Sequence, residues 1–420
     1  MGDPIPGPGP APAVRGYAAG TREYRRLTTA LWLAGAGTFM VLYSVQALLP
    51  LFSQTFHVSP ATSSLALSAA TGTLALAIIP VSAIAEQWGR RRVMTVSLSA
   101  TAAIALLTPL APSFEVLLAL RALQGLAMAG VPALAMGHLT QEVEGRSLGH
   151  AMGLLIAGNT AGGLSGRLLA GWSAELAGWR TAMAVVGVAC LLALVGFRLL
   201  IPTPRQESTE RATLMERLAG AARLLTDPGV RRACAVSFWL MAAFVTMYNY
   251  LGYRLLEPPY SLSHGLVGLV FLAYLAGTVS SPVAGALGDR IGRLRVLALA
   301  ALLALASALL SLAEPLALVL VALVLYTMGF FGAHSAASGW LNERAGPAAA
   351  QASALYLFCY YAGSSLGGTA GGVAYQHGAW PGVVGYLVAL LLLALVATWL
   401  LTRLPGGRRA VSAPGDTLEG

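Results

Sequence analysis

The chain has 420 residues, 57% of them hydrophobic and 10% charged, with a mean hydropathy of +0.71. Soluble domains carry about 25% charged residues, so this composition excludes a water-soluble globular protein and indicates a polytopic membrane protein. The net charge of +9 comes from 26 basic residues, all arginine, scattered among apolar runs, which does not describe a nucleic-acid-binding surface.

In chain order, residues 1–26 open with "MGDPIPGPGPAPAVRGYAAG", a Pro/Gly/Ala-rich stretch that reads as a disordered tail. A membrane-crossing helix needs about 20 apolar residues. Twelve such runs follow, at 27–52, 61–85, 93–111, 116–139, 148–172, 179–201, 232–256, 264–287, 294–312, 316–340, 351–375 and 381–403. They predict an all-α membrane protein of twelve spans in two six-helix bundles, 27–201 and 232–403. The charged segment 202–231 separates the bundles as a linker, with a short amphipathic helix near 213–225, and 404–420 forms a second tail. If the N-terminus is cytoplasmic, 22 arginines fall on cytoplasmic segments and two, Arg180 and Arg254, on the opposite side. That asymmetry predicts cytoplasmic termini. Cys190, Cys234 and Cys359 each sit inside an apolar run and read as buried thiols, neither disulfides nor metal ligands.

The two halves repeat. "VSAIAEQWGRRRVM" (81–94) follows span 2, and "AGALGDRIGRLRVL" (284–297) follows span 8. "GNTAGGLSGR" (158–167) in span 5 matches "GSSLGGTAGG" (363–372) in span 11. Parallel duplication of this kind places a substrate site between the halves, near the midplane. At these residues the chain resembles the major facilitator superfamily over essentially all twelve spans. "GALGDRIGRLR" fits the superfamily's loop signature, Gly-x-x-x-Asp-Arg-x-Gly-Arg-Arg, with Leu294 in the last place; in the first-half copy Ser82, Glu86 and Gln87 replace the Gly, Asp and Arg. The resemblance implies gating roles for Glu86, Gly89, Arg90, Arg91, Asp289, Arg290, Gly292 and Arg293, whose contacts across the seam help hold the cytoplasmic gate closed. "RALQGLAMAG" is similar to the span-4 pattern Arg-x-x-Gln-Gly of drug/proton antiporters, which marks Arg121 and Gln124. "GHAMGLLIAGNTAGGLSGR" resembles the span-5 exporter pattern, with Gly149, Gly158, Gly162 and Gly166 in place, Gly163 where the pattern has Pro and Arg167 where it has its last Gly. A ladder of this kind lets helices approach and slide, which adds Gly158, Gly162 and Gly166 to the gating set. The whole run looks like the YnfM-type branch of bacterial exporters.

Within the spans, none of the 17 acids lies deep. The deep polar set is basic or neutral: Tyr43 and Gln46 in span 1, Arg121 and Gln124 in span 4, Asn159 and Arg167 in span 5, Asn249 and Tyr253 in span 7, Tyr326, Phe330 and His334 in span 10, and Tyr360 in span 11. Tyr248 and Tyr356 are further candidates. Arg121 and Arg167 fall at similar depth, and a guanidinium presents a planar fork suited to carboxylates and phosphates. For Arg121 the alternative is pairing with backbone carbonyls; for Arg167 it is snorkelling outward. Tyr326, Phe330 and His334 form one stripe of span 10; histidine is the side chain whose ordinary pKa lies near neutral pH, and hydrogen-bonded packing is the alternative for His334. His334, together with Arg121, is therefore expected to couple transport to protons.

The chain has no Gly-x-x-x-x-Gly-Lys phosphate loop and no His-Glu-x-x-His. The expectation is a secondary transporter, not an enzyme and without a cofactor. It is read as a monomeric, proton-coupled exporter in the bacterial inner membrane, working by alternating access on small anionic or polar neutral organic compounds. An importer or symporter, or a multidrug exporter of lipophilic cations, is the alternative.

Overall fold

The computed structural model describes residues 16–205 and 214–404. Among the described residues, nine continuous helical segments are long and apolar enough to cross a membrane. Spans 1 to 4 are Arg22–Phe56, Pro60–Trp88, Arg90–Leu110 and Phe114–Glu142. Gly145–Leu200 turns at Ala177 and Gly178, whose backbone leaves the helical region, and so contains spans 5 and 6. Spans 7, 8 and 9 are Pro228–Leu256, His264–Ile291 and Arg293–Leu310. Leu316–Thr402 is interrupted after Ala345 and at Ala379, which divides it into spans 10, 11 and 12. The nine segments thus hold twelve crossings, as the apolar runs predict. Between the two halves a helix occupies Leu214–Leu224.

Local chemistry sets the ends. Thr21, Ser59, Ser113 and Ser263 each accept a hydrogen bond from a backbone N–H in the following first turn, and Pro60 and Pro228 occupy first-turn positions. Gly89 and Gly292 end spans 2 and 8 with φ of 84° and 97°, a conformation that any side chain would strain. The two copies of the loop signature therefore make the same turn.

One expectation changes. Residues 1–15, 206–213 and 405–420 lie outside the described residues, but the rest of the predicted N-terminal tail is ordered. Tyr17 bridges Val143, its amide donates to the Glu142 carbonyl at 2.7 Å, and helix begins at Arg22. The Pro/Gly count of the tail gives no sign of this, because the contact is made with a loop 125 residues away.

Span 5 lies against span 1 along the glycine ladder. A Cβ at Gly158, Gly162 or Gly166 would meet backbone atoms of Trp32, Ala36 and Met40 respectively, all within 2.6 Å. Gly363 and Gly367 in span 11 meet Phe238 and Ala242 of span 7 in the same way. With no hydrophobic driving force between helices in lipid, such backbone approach is what holds spans together. The outer surface stays apolar, with Leu76, Leu176 and Leu199 largely exposed to what would be lipid.

Candidate substrate site between the two halves

Span 1 does not run straight through. Its α-helix ends at Ser44, a 3-10 turn covers Val45–Leu48, and a second helix starts at Leu49 with Pro50 in its first turn. The break strips the usual i+4 partners from nearby carbonyls, and Arg121 supplies new ones. Its Nη2 donates to Leu42 O at 2.8 Å, its Nη1 to Val41 O at 3.2 Å and to Gln124 Oε1, and its Nε to Ala66 O of span 2 at 2.8 Å. Arg121 is 0% exposed. Four of its five donors are thus committed inside the first half. In this conformation Arg121 and Gln124 staple spans 1, 2 and 4, and they do not line a space between the halves.

Arg167 sits differently. It is 10 residues from the turn at Ala177, about 15 Å along the helix, which is near the middle of a hydrocarbon layer about 30 Å thick. It does not snorkel: its exposure is 1%. Its Nε and Nη2 donate to Gln46 Oε1 at 2.8 and 2.5 Å, its Nη1 to Gly163 O at 2.8 Å, and its Nη2 also to the Tyr274 hydroxyl of span 8 at 2.9 Å. The guanidinium carbon lies 4.4 Å from the Tyr43 ring centre, 4.3 Å from that of Tyr274 and 5.1 Å from that of Phe271. A first-half charge is therefore clasped by both halves through cation–π contacts.

The hydrogen-bond chain continues into the second half. Because Gln46 Oε1 must accept from Arg167, Gln46 Nε2 donates, and it reaches Asn249 Oδ1 at 2.8 Å. That fixes the Asn249 amide with Nδ2 as its remaining donor, and Nδ2 is buried without an acceptor. From Arg167 a continuous aromatic stack leads away: Tyr274 packs on Phe244 at 5.3 Å, Phe244 stacks on Phe330 at 3.7 Å, and Phe330 stacks on His334 at 5.9 Å. His334 Nδ1 is 3.0 Å from the Tyr356 hydroxyl, and its ring is 5.1 Å from Tyr360. Tyr326 joins through Phe244, and Tyr248 through Tyr274.

Of the predicted residues, Tyr43, Gln46, Arg167, Asn249, Tyr326, Phe330, His334 and Tyr360 thus form one contiguous network. Tyr253 lies beyond it, its hydroxyl 2.8 Å from Ser53 Oγ. Asn159 faces span 1, where its Oδ1 lies against Gly35. Sequence reasoning missed Tyr274, Phe271 and Phe244. No motif marks them, and an aromatic residue in an apolar span reads as packing.

The halves are hydrogen-bonded to each other at the midplane and beyond it, on the face opposite the linker. Besides Gln46–Asn249 and Arg167–Tyr274, Ser68 contacts Ser365 and Thr369, and Glu175 accepts from Gly265 N at 3.1 Å. Gly171 and Gly268 bring spans 5 and 8 into backbone contact there. Towards the linker face, Gly149 and Gly153 of span 5 and Gly285 of span 8 face open space. The predicted gating acids diverge. Glu86 pairs with Arg217 of the linker helix, whereas Asp289 is exposed and pairs with Arg293, which also holds Glu343 at 2.7 Å. The second signature closes onto its own half and not across the seam. Arg90 packs on Gly137, and Arg290 is exposed.

The family model of the Major Facilitator Superfamily matches residues 31–258 and 235–417. The chain belongs to the major facilitator superfamily. This superfamily member is 39% identical over 384 residues to the MFS-type transporter YybF of Bacillus subtilis, covering 91% of this chain and 95% of that one. It is 40% identical over 387 residues to the inner membrane transport protein YnfM of Escherichia coli, covering 91% and 92%. Its fold matches a bacterial homologue of the human lysosomal transporter Spinster, in an inward-facing and unoccupied conformation, with a TM-score of 0.74 at 16% identity over 91% of this chain and 97% of that one. The nucleoside transporter NupG gives 0.71 at 15% over 90% and 99%. This superfamily member is accordingly a multi-pass membrane transporter and not an enzyme.

Proposed function

We propose that this transporter is a monomeric, proton-coupled exporter of small anionic or polar neutral organic compounds in the bacterial inner membrane, with both termini cytoplasmic. The observation that carries the substrate class is Arg167, a guanidinium near the midplane that makes no ion pair with any described residue. Interior screening is weak, so an uncompensated positive charge attracts anions and repels cations. The spare Asn249 donor beside it adds a second group that favours an acceptor-bearing ligand. The aromatic stack from Tyr274 to His334 suits the apolar body of an organic solute, with His334 as the proton carrier and Arg121 as the staple that holds span 1 in place.

The halves rock about this site. With the linker face cytoplasmic, contacts across the far side describe the state closed to the outside, and opening outward separates Arg167 from Tyr274. Thermal-shift screening of purified protein against anionic, neutral and cationic compounds tests the reading. Anions should stabilise the wild type and not Arg167→Gln. Cationic dyes that stabilise both proteins equally would favour the lipophilic-cation alternative. Uptake in vesicles of both orientations separates export from import, and His334→Gln should abolish proton-driven accumulation while sparing exchange.

A further inference from the structure

On the linker face, away from the substrate path, a groove of about 400 Å³ lies between spans 3 and 6, lined by Arg91, Arg92, Thr95, Val96, Arg198 and Ile201. Arg91 and Arg92 stand in the first turn of span 3, and Arg198 in the last turn of span 6. Among the described residues, no acid lines the groove. None of the three arginines makes an ion pair or side-chain hydrogen bond with a described residue, and Arg92 has a single cation–π contact, with Trp88 at 5.8 Å. Three like charges converging on one small groove repel one another, and an anion seated among them removes that repulsion. The ends of spans 3 and 6 also place the groove at headgroup depth.

On the lipid-facing side of span 6, next to the face that carries Arg198, Leu199, Leu192, Val188 and Val195 are exposed by 70, 66, 49 and 46%. Their spacing of three or four residues makes one continuous apolar stripe. Val96 of span 3, 53% exposed, lines the groove itself and adds apolar surface to it. A free phosphate would use the arginines alone; a lipid uses the arginines and the stripe together.

We propose that this groove binds the headgroup of an acidic phospholipid of the inner leaflet, its phosphate among Arg91, Arg92 and Arg198 and an acyl chain along the span-6 stripe. Basic pockets between spans on a cytoplasmic face select anionic headgroups for this electrostatic reason. The bound lipid bridges the first-half loop signature to the end of span 6, just before the linker.

Native mass spectrometry of the full chain tests this, with phosphatidylglycerol and phosphatidylcholine of identical acyl chains as probes and inorganic phosphate as a third. The wild type should retain one phosphatidylglycerol through delipidation in preference to phosphatidylcholine. The Arg92→Gln/Arg198→Gln double variant should lose about tenfold in that retention. Both side chains are exposed, so the variant should fold, and gel filtration checks that it does. Arg290→Gln/Arg295→Gln, which removes two exposed arginines elsewhere on the same face, should retain lipid as the wild type does. Equal retention of phosphatidylcholine, equal loss in the control variant, or stabilisation by inorganic phosphate as strong as by lipid would overturn the proposal.

Discussion

Arg121 and Arg167 are both intramembrane arginines, yet their surroundings give them different work. Arg121 is committed to the carbonyls of Val41, Leu42 and Ala66. A lysine there has one nitrogen and cannot reach all three from a single point. Each hydrogen bond to a charged group contributes about 1.5–3 kcal/mol, and a buried carbonyl left bare costs more. Arg121→Lys should therefore lower stability by about 3 kcal/mol, read as a drop in melting temperature in detergent, while the folded fraction keeps its substrate affinity. Wild-type stability with weakened binding would instead place Arg121 in the substrate path. Arg167 has the opposite signature, because its contacts with Gln46 and Tyr274 join elements that separate when the halves move.

At the scale of elements, the span 5–span 1 contact depends on absent side chains. Gly162→Val would drive a Cβ into Ala36 backbone atoms, so it should destabilise the protein by about 1–3 kcal/mol or more. Gly149→Ala, which faces open space, should be close to neutral. Thermal melting of the two variants side by side checks the contrast. The start of span 7 offers a pH-dependent case. Asp227 caps that helix through Gly229 and Val230 N–H and receives Arg344 at 3.0 Å. Burial alone would raise its carboxyl, but the hydrogen bonds from Arg344 and the two amides outweigh it and hold the group below the ordinary carboxylate range. A depressed folded value means the stability is present above the unfolded value and is lost as pH falls through the folded one. The wild type should lose melting temperature more steeply than Asp227→Asn below about pH 4, and parallel curves would remove Asp227 from the acid response.

At the scale of the whole molecule, the far-face closure can be locked. A Cβ on Gly171 would lie 3.2 Å from the Gly268 Cα, which puts the two Cα atoms within disulfide range. In a chain without Cys190, Cys234 and Cys359, Gly171→Cys/Gly268→Cys should cross-link on oxidation and stop transport, and a reductant should restore it. Transport that persists in the cross-linked protein would show that spans 5 and 8 need not part at that point.

Apolar run length, the glycine turns and the duplicated signatures determined the fold class and its two bundles, because a bilayer imposes length and backbone satisfaction on each span separately. Those are local requirements, and local sequence carries them. The depth of Arg167 followed from the same counting. Its direction did not: whether a guanidinium snorkels or turns inward depends on Gln46, Tyr43 and Tyr274, which come from spans 1 and 8 and meet it only after packing. The staple formed by Arg121 likewise depends on a break in span 1 that frees carbonyls, and the inward turn of Arg293 onto Glu343 on where span 10 ends. Tertiary structure decided these because each rests on which backbone or side-chain acceptor lies within about 3 Å of a donor, a quantity fixed by how helices are set against one another.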